Sequence, residues 1–306
     1  MSILSNLLRE LIFGKPRTNT LHQSSDQIFL SELLEIGHDK LKASDIAGAE
    51  KICADALKRF PENAETNLLF SEIEFVKCSA AVEKRFPGPT YLDWLKWFHA
   101  TLKPAAYLEV GVESGRSLQF ARSPTRAVGV DPALQIVYPQ EAWVKLYQLP
   151  SDDFFANHDL RQVLEVKTVS LAFIDGLHTF DQALKDFMNI EKFSDAGTVV
   201  LFHDIFPVTA ATAKRDRSTK FWVGDTWKVI PILMKFRPDL KVFTIPTYPS
   251  GLGVVTGLNA DSTTLWNDFE LIRDQTMAFE LDTFQPKIDD HLNLVENDFA
   301  AVLRLL

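Results

Sequence analysis

The sequence predicts an α/β protein, a mostly parallel sheet flanked by helices, behind an N-terminal helical region. Three observations predict it. Short, near-continuous apolar runs alternate with amphipathic stretches over roughly residues 88–258, as strands buried on both faces require. Those runs end in polar groups: Glu109, Asp131, Asp175, His203 and Asp204. The first of them enters a glycine-rich turn, Tyr107-Leu-Glu-Val-Gly111-Val-Glu-Ser-Gly115-Arg-Ser, the form of a strand running into the helix that follows it. Open α/β sheets bind ligands at such turns, at the carboxyl ends of their strands.

Composition narrows the class. A chain of 306 residues is long enough for about two domains. The net charge of -9 weighs against a nucleic-acid partner, because phosphate binding needs a positive surface. Two cysteines, Cys53 and Cys78, give no disulfide framework and suit a reducing compartment. No apolar stretch is long enough to span a bilayer. Met1 to Phe13 is amphipathic but carries Glu10 and lacks a cleavage site, so it reads as a docking helix rather than an export signal. A cytoplasmic protein is expected.

The elements follow in order. Residues 14–28 are polar and read as a linker. From Ile28, Leu30, Leu33, Leu34, Ile36 and Leu41 recur at helical spacing. Ser44-Asp45 starts a second helix that Pro61 stops, and Asn63 to Phe75 make a third. Leu33, Gly37, Ala49, Ala56 and Pro61 resemble one degenerate tetratricopeptide repeat, so residues 29–80 form a helical hairpin domain. One repeat cannot bury its own face, so this one packs on the sheet domain or another subunit. Tyr91 to Phe98 is an aromatic-rich helix whose residues read mainly as core. Trp143 to Leu149 is the third strand, and Pro150 to Phe155 a turn at a helix start. Val169 to Asp175 is the fourth, Phe180 to Phe193 its crossover helix, and Gly197 to Asp204 the fifth. Leu240 to Ile245 and Gly251 to Thr256 form a last pair, which closes a domain over 81–260. Ser262 to Leu306 reads as two helices that pack on the core or build a homodimer contact.

The spacing of the first turn argues against a dinucleotide, whose fingerprint is G-x-G-x-x-G; here Glu113 takes the middle position. A carboxylate there would face a pyrophosphate poorly and tolerates a cationic ligand. Gly111 and Gly115 admit close backbone approach, Ser117 stands near the expected helix start, and Asp131 falls where a ribose-binding carboxylate is expected. Adjacent strand ends bring Asp175, His178, His203 and Asp204 to one rim. An alcohol needs a base within hydrogen-bond reach, or a metal that lowers its pKa, to become a nucleophile. The basic stretch Lys214 to Lys220 is either a lid over an anionic or sugar substrate or a solvated loop.

Glu109, the Gly111/Gly115 pair and Asp131 resemble the first two motifs of the class I S-adenosylmethionine-dependent methyltransferases. His203-Asp204, Gly224-Asp-Thr-Trp-Lys228, Arg237-Pro-Asp-Leu240 and Tyr248-Pro-Ser-Gly-Leu-Gly253 resemble a bacterial methyltransferase-domain family; a cephalosporin hydroxylase-like group sits nearby. The resemblance implies a Rossmann-like, seven-stranded sheet of order 3-2-1-4-5-7-6 and transfer to a hydroxyl of a small molecule or sugar. It implies cofactor contacts from Glu109, Gly111, Gly115, Ser117, Asp131 and Asp175, and from Ser151 and Asp152 beside the adenine. The last two serve equally well as a helix N-cap. Asp175-Gly-Leu-His178 is similar to the metal-assisted sugar O-methyltransferases of macrolide biosynthesis, which makes His178 a base, with Asp175 beside it. Asp175 and Asp204 then match ligands of a divalent ion, magnesium or manganese. His203 stands where that family has a carboxylate, which favours a softer ion or none. Two other readings stay open: a catalytically inactive binding module, and a hydroxylase-like metal enzyme using His178, His203 and a carboxylate.

Overall fold

The computed structural model describes residues 25–284 and 287–306; the expected docking helix at Met1 to Phe13 lies outside them. The described residues divide between Ile73 and Glu74 into two compact units.

In the first unit, α1 (Ser25–Lys42) begins ahead of the expected Ile28. Next, α2 (Ile46–Arg59) is capped by Asp45, whose carboxylate accepts from Gly48 N at 2.9 Å. These helices and the first turns of α3 (Ala64–Arg85) bury Leu30, Leu34, Ala49, Cys53, Ala56, Leu69 and Ile73. The third helix does not end at Phe75 as the sequence suggested. Cys78, Val82 and Phe86 lie four residues apart, so they form one apolar stripe, and all three are buried in the core of the second unit.

The second unit is a seven-stranded sheet of order β3-β2-β1-β4-β5-β7-β6. Its strands are β1 (Ala106–Val110), β2 (Arg126–Val130), β3 (Trp143–Tyr147), β4 (Leu171–Ile174), β5 (Val199–Phe202), β6 (Lys241–Ile245) and β7 (Leu252–Thr256). Only β7 runs antiparallel, to both β5 and β6. Alternate residues face opposite ways. Ala106, Leu108, Ala172, Ile174, Val200 and Phe202 join one core. Tyr107, Leu171, Phe173, Val199 and Leu201 join the other. This second core includes Trp94, Leu95 and Phe98 of α4 (Tyr91–Leu102), whose start is fixed by a Thr90–Asp93 capping box. The first includes Phe154 of α5 (Ser151–Asn157), residues of α6 (Leu160–Leu164), Phe187 of the crossover α7 (Phe180–Glu191) and Ile230 of α8 (Val229–Phe236).

Two expectations fail. No α-helix follows β1: after Gly115 there is only a turn of 3-10 helix, Leu118–Phe120. Glu113 and both glycines take positive φ (46°, 88° and 78°), and the chain must then reach β2 at Arg126 through Pro124, which leaves no room to propagate a helix. The tail is also not two helices. After α9 (Thr264–Met277) come the short pieces Leu281–Phe284, Ile288–His291 and Phe299–Leu303. Between the last two, Asn293 and Val295 bond to Thr244, so the chain lies along β6 and covers an otherwise open sheet edge. Phe299 then packs on Trp94 with ring centroids 4.5 Å apart.

Parallel pairing sets Val110 opposite Ile174 and Ile174 opposite Phe202, so Gly111, Asp175 and His203 leave the sheet at one level. Phe187 is fully buried against Phe202 beneath that rim. Phe187→Ala is expected to lower unfolding free energy by about 3–5 kcal/mol, with a lower denaturant midpoint at unchanged slope, and Phe187→Leu by less.

Candidate active site

The turn after β1 is held by Asp131, at the end of β2. Its Oδ2 accepts from Val112 N at 2.9 Å and Glu113 N at 2.8 Å, and its Oδ1 from Ala133 N at 2.6 Å. Three acceptor positions are thus spent on backbone, and of a carboxylate's roughly four, one is left for a ligand. Gly111 is required sterically: a Cβ there would stand 2.0 Å from the Asp175 carbonyl oxygen. A cavity of about 370 Å³ opens over this turn. Gly111, Asp131, Ser151, Asp152, Asp175 and Gln182 are among its walls.

Of the expected cofactor contacts, Glu109, Gly115 and Ser117 do not line that cavity. Glu109 is fully buried and accepts from Tyr107 Oη and Ser117 Oγ, each at 2.6 Å. It braces the turn from below. Ser151 and Asp152 do line it. Pro150, not either of them, is the N-cap residue of α5, and Gln182 of the crossover helix donates to Asp152 at 2.9 Å and Ser151 at 3.2 Å. Nothing in the sequence marked Gln182, which lies in the first turn of the crossover helix, four residues beyond His178, and reaches a strand turn thirty residues away.

The rim groups do converge. His178 Nε2 lies 3.1 Å from Asp204 Oδ2 and 3.6 Å from Asp175 Oδ1. His203 Nδ1 lies 3.2 Å from Asp175 Oδ1 and 3.3 Å from Asp204 Oδ2. Ser250 Oγ donates to Asp204 Oδ1 at 2.6 Å. Burial opposes charge on each group, but the opposite charges prevail. Both imidazoles are raised, His203 well above its ordinary value, while Asp175 and Asp204 fall below theirs. Asp204 has φ 55°, a left-handed backbone that turns its carboxylate back over the strand end. Ligand atoms of Asp175, His178 and Asp204 lie within 4.8 Å of one another, a set able to hold a metal. The expected His203 is not among them; its Nδ1 is paired to both carboxylates.

The segment after β5 shapes His178. Trp222 stacks on its ring at 4.8 Å and 20°, and the Trp222 carbonyl accepts from His178 Nδ1 at 3.2 Å. Gly224 presses on its backbone, where a Cβ would meet the His178 carbonyl at 1.8 Å. Asp225 N donates to that same carbonyl at 3.1 Å. Arg215 is bonded to Asp181 at 2.7 Å and paired with Asp225 at 3.3 Å. That cation of the basic stretch anchors the loop and is not a free lid charge. A second cavity of about 370 Å³ lies on the Asp204 side, with Tyr91, Arg116, Trp222, Tyr248 and Ser250 among its walls. Tyr91, read from sequence chiefly as core, stands with its ring centroid 4.3 Å from that of His203.

Residues 108–205 match the family model described as a methyltransferase domain. The strand order above is the one that the resemblance to class I S-adenosylmethionine-dependent methyltransferases implied. No curated protein matches the chain. Among solved structures, the chain is similar to the methyltransferase PaMTH1 of Podospora anserina in its SAH-bound form (16% identity, 60% of this chain and 87% of that one, TM-score 0.40). It is also similar to the O-methyltransferase TomG of Streptomyces achromogenes, involved in tomaymycin synthesis (14%, 60% and 89%, 0.42). A third is an O-methyltransferase of Bacillus cereus (15%, 66% and 96%, 0.37). Among the described residues no helix is long and apolar enough to cross a membrane.

Burial lifts the Glu109 carboxyl to about 8, against the pull of its two hydroxyl donors. A group raised on folding contributes most below its unfolded value, and that contribution is lost as pH climbs through its folded one. Relative to wild type, Glu109→Gln is therefore expected to flatten the decline of melting temperature between about pH 5 and 8. Parallel pH profiles for the two proteins would show that Glu109 folds ionised.

Proposed function

We propose that this chain transfers a methyl group from S-adenosylmethionine to a hydroxyl oxygen of a small molecule or sugar. One observation carries the reading. A single cluster of two carboxylates and two imidazoles stands between two cavities, with Asp175 on the wall of one and Asp204 on the wall of the other.

The cavity over Gly111 fits the donor. Its floor is open because Gly111 has no Cβ, Asp131 keeps an acceptor position, and Ser151, Asp152 and Gln182 form a polar edge beside apolar Pro132, Pro150 and Leu177. When bound, the donor supplies an electrophilic methyl group on a sulfonium centre. Asp175 and the other acids near the turn suit that positive charge.

His178 is the base. Its Nδ1–H is given to the Trp222 carbonyl, so Nε2 is the position that takes the hydroxyl proton, after the ring, whose pKa the facing carboxylates raise, has given up the proton it shares with Asp204. Asp204 and Asp175 offset the charge that then develops on the ring. Positioning contributes as well, since an oxygen held in line with the methyl group loses much of its entropic barrier. Asp175, His178 and Asp204 would also be the ligands of a divalent ion, which would supply Lewis acidity at that oxygen. This mixed nitrogen and oxygen set suits manganese, iron or zinc better than magnesium. His178 then serves either as ligand or as base. Metal analysis of the purified protein, with chelation before assay, separates the two.

Calorimetry with S-adenosylhomocysteine should give micromolar binding, weakened by roughly tenfold or more in Asp131→Ala because the turn loses its anchor; an empty titration of the wild type would end the reading. His178→Gln should cut methyl transfer by about 100-fold or more and leave that binding within about twofold. Equal loss of both would make His178 structural.

A further inference from the structure

The cavity on the Asp204 side has a composition that names its occupant. Aromatic rings supply its walls: Tyr91, Trp222, Tyr248 and Phe75. Such rings present flat apolar faces to a ligand, and Asp204 and Ser250 provide polar contacts. Two exposed cations, Arg116 and Lys220, also line it. Most other arginines of this domain are spent: Arg215 on Asp181 and Asp225, Arg237 on Glu191 and Asp239, Arg126 on Glu165, and Arg122 on Glu141. Arg116, like Arg161, Arg217 and Arg304, has no carboxylate ion pair among the described residues, and of these four it is the one that lines this cavity; it follows directly on Gly115 and is exposed. It is close enough to act electrostatically on the Tyr91 hydroxyl inside the cavity. A guanidinium is a planar fork matched to a carboxylate, and one left unpaired beside an otherwise formed pocket offers that match to a ligand.

We propose that the acceptor is an acidic monosaccharide unit, a hydroxylated ring whose carboxylate is held by Arg116 while its face lies against the aromatic wall. This rests on the methyltransferase reading above and specifies its substrate class. A ring held by its acid on Arg116 shares the cavity with Asp204, so its hydroxyls are presented to the acid–imidazole cluster. Arg116 is thus a specificity-determining residue, and neutral sugars of the same shape bind less well.

The experiment uses the whole chain saturated with S-adenosylhomocysteine, whose own titration checks the cofactor reading independently. Glucuronate and glucose, a pair differing in the acid group, are then titrated in parallel. Glucuronate is expected to bind at least about tenfold more tightly than glucose, and Arg116→Gln to erase that gap while the homocysteine adduct binds as before. Lys220→Gln should narrow the gap by less, as a point charge without the fork. Equal affinities, or no binding of glucuronate to a protein that does bind S-adenosylhomocysteine, would overturn the proposal. A tenfold loss of S-adenosylhomocysteine binding in Arg116→Gln would overturn it too, because the guanidinium would then belong to the carboxylate of the cofactor.

Discussion

Charges buried at the carboxyl ends of β4 and β5 have to neutralise one another, and much of the domain is arranged so that they can. Asp204 and His203 are more than nine-tenths buried, where an isolated charge would be expensive. Two carboxylates and two imidazoles at 3.1–3.6 Å solve this jointly. Removing one member leaves an uncompensated charge, so the four act as a unit and are not independent residues. The left-handed backbone at Asp204, the Ser250 hydroxyl and the stacked Trp222 each keep one member in register.

The level at which these groups meet is set by the sheet. Parallel pairing in register puts the ends of β1, β4 and β5 side by side, so a glycine, an aspartate and a histidine leave the sheet together. Strands buried on both faces have little place for charged side chains except at their ends, and Glu109 within β1 is an exception. That carboxyl survives inside because Tyr107 and Ser117 satisfy it and because it is held near neutrality. Its partner Ser117 ties the segment that stands in place of a first helix to the sheet by a hydrogen bond.

Two further contributions come from outside the strands. The stretch between β5 and α8 looked from its charge like a solvated loop or a lid. Arg215 instead fastens it to the start of α7, and the fastened loop then wraps His178 by ring, backbone carbonyl and glycine contact. The tail, beyond the last strand, returns to β6 and to the aromatic face of α4. Both are long-range contacts between segments whose local sequence favours neither partner.

The sequence by itself determined the strands and the polar groups at their ends, while the order of the strands in the sheet came with the family resemblance. The strands follow from near-continuous apolar runs, their length and the turn glycines, all of them local. It therefore named Asp175, His178, His203 and Asp204 as neighbours. It could not tell which atoms meet: that His203 pairs with both carboxylates while His178 completes the set with ligand atoms in common reach depends on backbone dihedrals at Asp204 and on a loop folded from residues 205–225. Nor could it foresee that Asp131 spends its acceptors on the glycine turn, that Glu109 sits beneath that turn and not in the cavity, or that Gln182 reaches across to Ser151 and Asp152. Those assignments belong to tertiary structure, because a side chain's partners are fixed by which segments are brought within about 3 Å, and spacing along the chain carries no record of that distance.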